Sequence, residues 1–465
     1  MAAMAFQDLE SVAEARSCAL KAYEAWQKFR AFTPDQVDQV VAAMATAAER
    51  EALPLAELAH VETGYGKVED KRLKNLYNSR VVAEWLANVT TLGVLWRDDA
   101  TKVVAIGEPM GVVAGLIPVT HPTALVIFKV LSAVKAGNAI VCAPHPRGAK
   151  SSHRTAMVMA EAAVQAGAPK DLVQCMQAAS IEGTAELMRH YRTAVVLATG
   201  GAGMVKAAYS SGKPTLAVGP GNVPCYVDRS MSRELADVAD GILTSKNFDH
   251  GTGCVCEQAI VADRPIADML RAELRDHGGY FCNRSEAQAL ARLLFAPDLG
   301  IIPENVGQSA ATLAQRAGFE VPPRTRVLIA EQDGVGRGFP LSAEKLAPVL
   351  AFYEVADSAS GYDLCHQILK FGGEGHSASL HSNDPEVVTL FSSLPAGRVF
   401  VNTPCMHAGI GYSADVEPSF MLGTGTLSGS ITSDNVTAMH LINIKRIAYQ
   451  SRPWRTMDNL FERTP

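Results

Sequence analysis

The stretch 112–144, VVAGLIPVTHPTALVIFKVLSAVKAGNAIVCAP, sets two short apolar runs around a helical segment. The runs VVAGLIPV (112–119) and AIVCAP (139–144) are continuously apolar, which suits strands buried on both faces. The segment 122–136 between them can cross back as a helix. Strand, helix and strand at this interval predict parallel pairing. Working outward, AVVLAT (194–199) and PCYVD (224–228) alternate with helical segments at 151–166 and 201–211, so the fold class is α/β with a parallel sheet covered on both faces. A second alternation of strands and helices runs from about 226 to 415, and the first ninety residues read as helices. There, Thr33-Pro34-Asp35-Gln36 combines an N-cap, a first-turn proline and a capping-box glutamine. Val37, Val40, Val41 and Met44 follow at helical spacing.

Two strands are followed by glycine-rich turns, TGGAGMVKAAYSSGKP (199–214) and VGPGN (218–222). Glycines that open a helix at the carboxyl end of a strand let a ligand approach the backbone and leave N–H groups free for phosphate, although Gly200, Gly201 and Gly203 do not match GxGxxG. Downstream, SKNFDHGTGCVCEQ (245–258) places Cys254 and Cys256 one residue apart behind a glycine-bracketed turn. Read alone, each thiol could be a metal ligand, half of a disulfide, a buried filler or a nucleophile.

Composition narrows these choices. A chain of 465 residues predicts two or three domains. Charged residues make up only 19% and the net charge is −6 with no basic block, which argues against nucleic acid or an anionic membrane as a partner. The N-terminus lacks a basic region followed by an apolar run, and no window reaches the roughly 18 apolar residues of a spanning helix, so a cytoplasmic protein is expected. Nine scattered cysteines do not form a disulfide framework, and no His or Cys cluster has zinc spacing, so no metal is expected.

Eight segments in one order resemble those of CoA-acylating aldehyde dehydrogenases, including the aldehyde-oxidising half of bifunctional aldehyde/alcohol dehydrogenases. They are ETGYGKVEDK (62–71), GLIPVTHPT (115–123), APHPRGAKSS (143–152), ATGGAGMVKAAYSSGKP (198–214), SKNFDHGTGCVCEQ, EKLAPVL (344–350), FGGEGHSA (371–378) and HLINIKRIAY (440–449). The resemblance implies a Rossmann-type coenzyme domain over 1–93 and 114–225 and an α/β catalytic domain over 226–424. It also implies a small β oligomerisation flap from 94–113 and 425–465, with a homodimer or homotetramer expected. The chain ends before an iron-dependent alcohol dehydrogenase half, so the aldehyde enzyme alone is expected. The first helix is read as beginning within ten residues, so no N-terminal packaging extension is expected. The C-terminal tail RPWRTMDNLFERTP is read as a loose end, with a docking peptide for a bacterial microcompartment as the alternative.

By the same resemblance Cys254 is the nucleophile and Cys256 a bystander. A thiolate that adds to an aldehyde gives a thiohemiacetal whose collapse expels hydride and leaves a thioester, and nearby donors are expected to depress the Cys254 pKa. Hydrolytic relatives carry a general-base glutamate in a motif resembling ELGGKSP, where this chain has VGPGNVP with Val218 at the glutamate's place. Loss of such a base slows water attack by roughly 10²–10⁴-fold, so the thioester awaits a thiol, which the resemblance identifies as coenzyme A. His121 stands where an oxyanion-binding asparagine is usual, and is assigned either that donation or a substrate-binding role. His376 is implied in proton transfer, and Glu344 as a ligand of the nicotinamide ribose. Pro118, Thr120, Thr199, Gly200, Gly201 and Gly219 are expected to line the coenzyme cleft.

No carboxylate marks the adenosine end, so the coenzyme is NAD by family resemblance, with NADP open. His145, Arg147 or Lys150 could meet the ribose phosphate of CoA. Two other functions stay open: a hydrolytic dehydrogenase using His376 as base, and an inactive scaffold or binding protein of the same fold. The aldehyde is left open among acetaldehyde, propionaldehyde, succinic semialdehyde and sulfoacetaldehyde.

Overall fold

The structure is a computed structural model describing residues 2–452 and 454. Three sheets organise it. The first is five-stranded and parallel throughout, in the order Val173–Cys175, Ala139–Pro144, Val112–Ile117, Thr193–Thr199, Thr215–Val218. Every residue of Val112–Ile117 and Ala139–Pro144 is buried, which explains why both read as unbroken apolar runs. The crossover helix Ala124–Lys135 is buried along its whole length. The first strand is shorter than expected, ending at Ile117, because Pro118 has no N–H to donate to the ladder.

The second sheet has seven strands, all paired in parallel. Its order is Gly279–Cys282, Val327–Glu331, Val349–Val355, Glu257–Asp263, Val223–Val227, Gly375–His381, Ala396–Val401. A four-residue link, Gly219–Asn222, joins the two parallel sheets, and Asn222 pins it by donating to the carbonyls of Ser342 and Ile368 at 2.9 and 3.0 Å. The third sheet is antiparallel and pairs Gly93–Asp98 with Val103–Pro109 and that strand with Ile442–Ala448. Two expected cuts need moving. The cut at 113/114 would divide the strand Val112–Ile117 and the cut at 225/226 the strand Val223–Val227, because neither boundary had a compositional signal.

The N-terminal helices are Ala2–Phe29, Pro34–Arg50, Ala52–Thr63, Val68–Leu76 and Ala83–Ala87, with a π-helical turn Tyr77–Val82 before the last. The capping box forms: Gln36 N–H donates to Thr33 Oγ1 at 3.3 Å and Thr33 N–H to Gln36 Oε1 at 2.9 Å. Val37, Val40, Val41 and Met44 are buried, as their spacing predicts. Among the described residues no helix is long and apolar enough to cross a membrane, and no group of three or more His, Cys, Asp or Glu could hold a metal ion. The docking-peptide reading of the C-terminal tail falls, apart from Arg452 and Trp454, outside the described residues.

Candidate active site

In the five-stranded sheet the chain builds outward from Val112–Ile117 on one side, then returns to place Thr193–Thr199 against its other edge. Such a reversal leaves a crevice at the carboxyl ends of the two strands. A cavity of about 570 Å³ lies there, lined by Ile117 and Thr199 on one side and by Gly253, Cys254 and Glu344 on the other.

The cysteine arrives on an unusual turn. Asp249, His250 and Gly251 are all left-handed, with φ of 48°, 52° and 72°. A left-handed backbone costs non-glycine residues energy and needs outside support, which Asp249 receives from four donors. Cys254 is partly exposed to the cavity, with His376 Nε2 3.3 Å from its Sγ. Cys256 is buried and turned away, its thiol donating to the Gly253 carbonyl at 2.8 Å.

The electrostatics correct one expectation. The Cys254 thiol is not depressed but pushed up to about 12, first by burial and then by the Glu344 carboxylate and Cys256, against the pull of its own backbone N–H and Arg398. His376 is held down to about 3 by burial and then by Arg398, so its ring is neutral, with Nδ1 3.1 Å from Ser377 Oγ. Among the described residues no carboxylate forms a salt bridge with Arg398; its guanidinium donates to the carbonyls of His376, Gly423 and Ser433 at 3.3, 2.8 and 2.5 Å. Glu344 is raised to about 7 by burial, partly offset by the Gly221 N–H that it accepts at 3.0 Å and by Lys246 and Lys345. Gly221 is required there, since a Cβ would stand 2.3 Å from the Cys254 carbonyl oxygen.

His121 lines the same cavity, its Nδ1 2.9 Å from Thr120 Oγ1 and its ring edge-on to Phe420. It too is uncharged, held well below the ordinary histidine range by burial and then by Lys74. Pro118, Thr120, Gly200, Gly201, Gly219 and His145 are also on the wall, as is Val218. Arg147 and Lys150 are not: the Arg147 guanidinium lies over the Tyr65 ring at 5.0 Å, and the Lys150 N–H donates to Glu62.

The wall suits a dinucleotide. Among the described residues the buried Thr199 Oγ1 has no hydrogen-bond partner, and the helix Ala202–Tyr209 starts at Gly201 with no side-chain cap. No atom would meet a Cβ placed on Gly201 or Gly203, so this helix start is open to a ligand.

Comparison with known proteins agrees with this geometry. The Aldehyde dehydrogenase family profile matches residues 1–278. A crystal structure of an acetylating aldehyde dehydrogenase from Geobacillus thermoglucosidasius superposes with a TM-score of 0.94 at 44% identity, covering 96% of this chain and 98% of that one. The chain belongs to the aldehyde dehydrogenase family. It is also similar to the bifunctional aldehyde-alcohol dehydrogenase of Escherichia coli K12, 37% identical over 94% of this chain and 50% of the relative. A third relative is the succinate-semialdehyde dehydrogenase (acetylating) of Clostridium kluyveri, 33% identical over 92% of this chain and 94% of that protein. The chain spans about half the length of the bifunctional curated relatives it matches.

Within this aldehyde dehydrogenase fold, sequence reasoning missed Arg398, Asp249, Lys71, Lys74 and Phe420. A lone arginine in AGRVF carries no signal, and Lys71 and Lys74, three residues apart on a helix, look like a solvated face; both are instead 2% exposed.

Proposed function

We propose that this protein oxidises a short-chain aldehyde with a nicotinamide coenzyme and CoA, reversibly, giving acyl-CoA through a thioester on Cys254. The observation that carries the proposal is the pairing of a cavity-facing thiol with a neutral imidazole in a wall where Val218 offers no proton acceptor. The names of the acetylating relatives at 44% and 33% identity support it.

With the thiol pushed up to about 12 and the imidazole held to about 3, a resting thiolate–imidazolium pair is not populated at neutral pH. Proton transfer to His376 Nε2 therefore accompanies C–S bond formation rather than preceding it, with Nδ1 protonated toward Ser377 Oγ. The alkoxide that forms is assigned to the Cys254 backbone N–H and a ring N–H of His121. That tautomer follows if Thr120 donates its hydroxyl to Nδ1, leaving the proton on Nε2. The bound nicotinamide supplies the hydride acceptor. Thr199 Oγ1 and the open helix start at Gly201 are assigned to holding the coenzyme, together with Pro118, Thr120, Gly200 and Gly219; NAD is the coenzyme by resemblance. The thioester then persists because Val218 cannot take a proton from water, while His376, once it has released the Cys254 proton to solvent, can take one from the more acidic incoming thiol. Leu125, Met406, Ile410, Phe420 and Leu422 make the wall beside His121 and Cys254 apolar, which supports a short uncharged aldehyde.

One observation favours a second reading. Glu344, raised to about 7, is a carboxylate on the wall whose charge opposes the Cys254 thiolate, so it could serve water as a base instead of holding the ribose. Assaying NADH formation with acetaldehyde and NAD, with and without CoA, separates the two. The acylating reading expects at most one turnover without CoA; continuous turnover would assign hydrolysis.

We also infer that the antiparallel flap joins copies of the chain into a dimer or tetramer. Val94, Trp96, Ile444 and Ile447 leave apolar surface exposed on its strands.

A further inference from the structure

We propose that the helix Val68–Leu76 is a brace that sets the distance between the nucleophile and its oxyanion donor, with Lys71, Lys74 and Asn75 as positioning residues. The proposal rests on the assignment of Cys254 and His121 above. One arm grips the cysteine turn. The Lys67 N–H donates to Asp249 Oδ1 at 2.8 Å, and Lys71 Nζ donates to Oδ2 at 3.1 Å, as does Lys74 Nζ. Asp70 Oδ2 accepts the Asp249 N–H at 2.7 Å. Thr252, two residues before Cys254, closes the arm by donating to Asp249 Oδ2 at 2.9 Å. The other arm grips the His121 loop. Asn75 Oδ1 accepts the hydroxyl of Thr123, two residues beyond His121, at 2.8 Å, while Asn75 Nδ2 is fixed on the Ala52 carbonyl at 2.9 Å.

All six side chains, Lys71, Lys74, Asn75, Thr123, Asp249 and Thr252, are at most 2% exposed. Sealing two ammonium groups against one carboxylate is an expensive way to fill space, and an apolar face of equal volume would hold a helix as well or better. Charged hydrogen bonds give what apolar packing does not, a fixed direction between atoms. The approach is close: Gly66, at φ 68°, passes Asp249 so tightly that a Cβ would stand 1.8 Å from Oδ1. His121 also feels this cluster: after burial, Lys74 and Lys71 disfavour its imidazolium, against the pull of Asp249. The Lys74 ammonium is itself lowered to about 8, chiefly by burial.

The test cuts each arm separately in the full chain. Lys74→Met leaves a matched Lys71–Asp249 pair, Thr252→Val cuts the same arm without changing buried charge, and Thr123→Val cuts the other. Two readouts are taken: the rate of Cys254 alkylation by iodoacetamide, and kcat and KM for CoA-dependent acetaldehyde oxidation. The brace predicts that Lys74→Met and Thr252→Val slow alkylation about fivefold or more, while Thr123→Val alkylates at the wild-type rate but loses about tenfold in kcat with little change in KM. The brace is overturned if nucleophile-arm variants alkylate at the wild-type rate, or if all three lose both readouts in step with a fall in melting temperature. Should the wild-type chain show no CoA-dependent turnover, the acylating reading fails while the alkylation rates still decide the brace.

Discussion

At the scale of single residues, the proposed nucleophile is a thiol whose surroundings hold it in the protonated form. Burial acts first against the thiolate and the Glu344 carboxylate second, so the charge on Glu344 adds to how hard Cys254 is to ionise. Glu344 is raised to about 7, hence neutral below that pH and anionic above it. Its opposition to the thiolate therefore switches on as pH rises through neutrality. Glu344→Gln removes the opposition, and the expected outcome is faster iodoacetamide alkylation of Cys254 than in the wild-type chain at pH 9, with the difference shrinking at pH 6. A pH–rate profile of alkylation checks this, and equal rates at pH 9 would contradict it. Cys254, His376, His121 and the valine at 218 were all legible because each sits in a segment with a recognisable order and spacing. Arg398 was not, since its effect on Cys254 and His376 depends on a strand, Ala396–Val401, that the chain brings alongside Gly375–His381.

At the scale of elements, strands buried on both faces were the easiest to read. The run AIVCAP coincides with the strand Ala139–Pro144, and 194–199 with Thr193–Thr199, because neither face alternates with solvent. Pro118 shortened the strand before His121, and the 225/226 cut falls inside Val223–Val227 because the two parallel sheets are joined by only four residues with no change in composition. The turn 249–253 was legible only as glycine-bracketed. Its left-handed residues depend on partners from the N-terminal helices, remote in sequence. Gly66 is where that dependence is tightest. Gly66→Ala combines a left-handed backbone with a Cβ 1.8 Å from Asp249 Oδ1, so it is expected to destabilise the fold by about 2 kcal/mol or more. The control Gly64→Ala is also left-handed but has open space around it, and should cost about 1 kcal/mol. Chemical denaturation of both variants makes the comparison; equal losses would mean that the approach to Asp249 is not tight.

At the scale of the whole molecule, the architecture places the proposed coenzyme wall and the segments around the proposed nucleophile on different sheets that face one crevice. The five-stranded sheet supplies Thr199 and the open helix start, and the seven-stranded sheet positions His376 and the segments around Cys254. The link Gly219–Asn222 carries the chain between them, directly after Val218. Among the described residues the flap's outer strands Gly93–Asp98 and Ile442–Ala448 each pair along one edge only. Replacing Trp96 and Ile447 together by aspartate is expected to lower the molar mass of the assembly in light scattering, leaving Cys254 alkylation unchanged. An unaltered mass would remove the flap from the interface.

The central claim concerns the lifetime of an acyl group on sulfur. Intact-protein mass spectrometry after mixing the enzyme with acetaldehyde and NAD, and no thiol, tests it directly. The account predicts one acetyl adduct on Cys254 that persists for many minutes and vanishes when CoA is added, with acetyl-CoA appearing in equal amount. Steady release of acetate without CoA, and no adduct at any time, would contradict it.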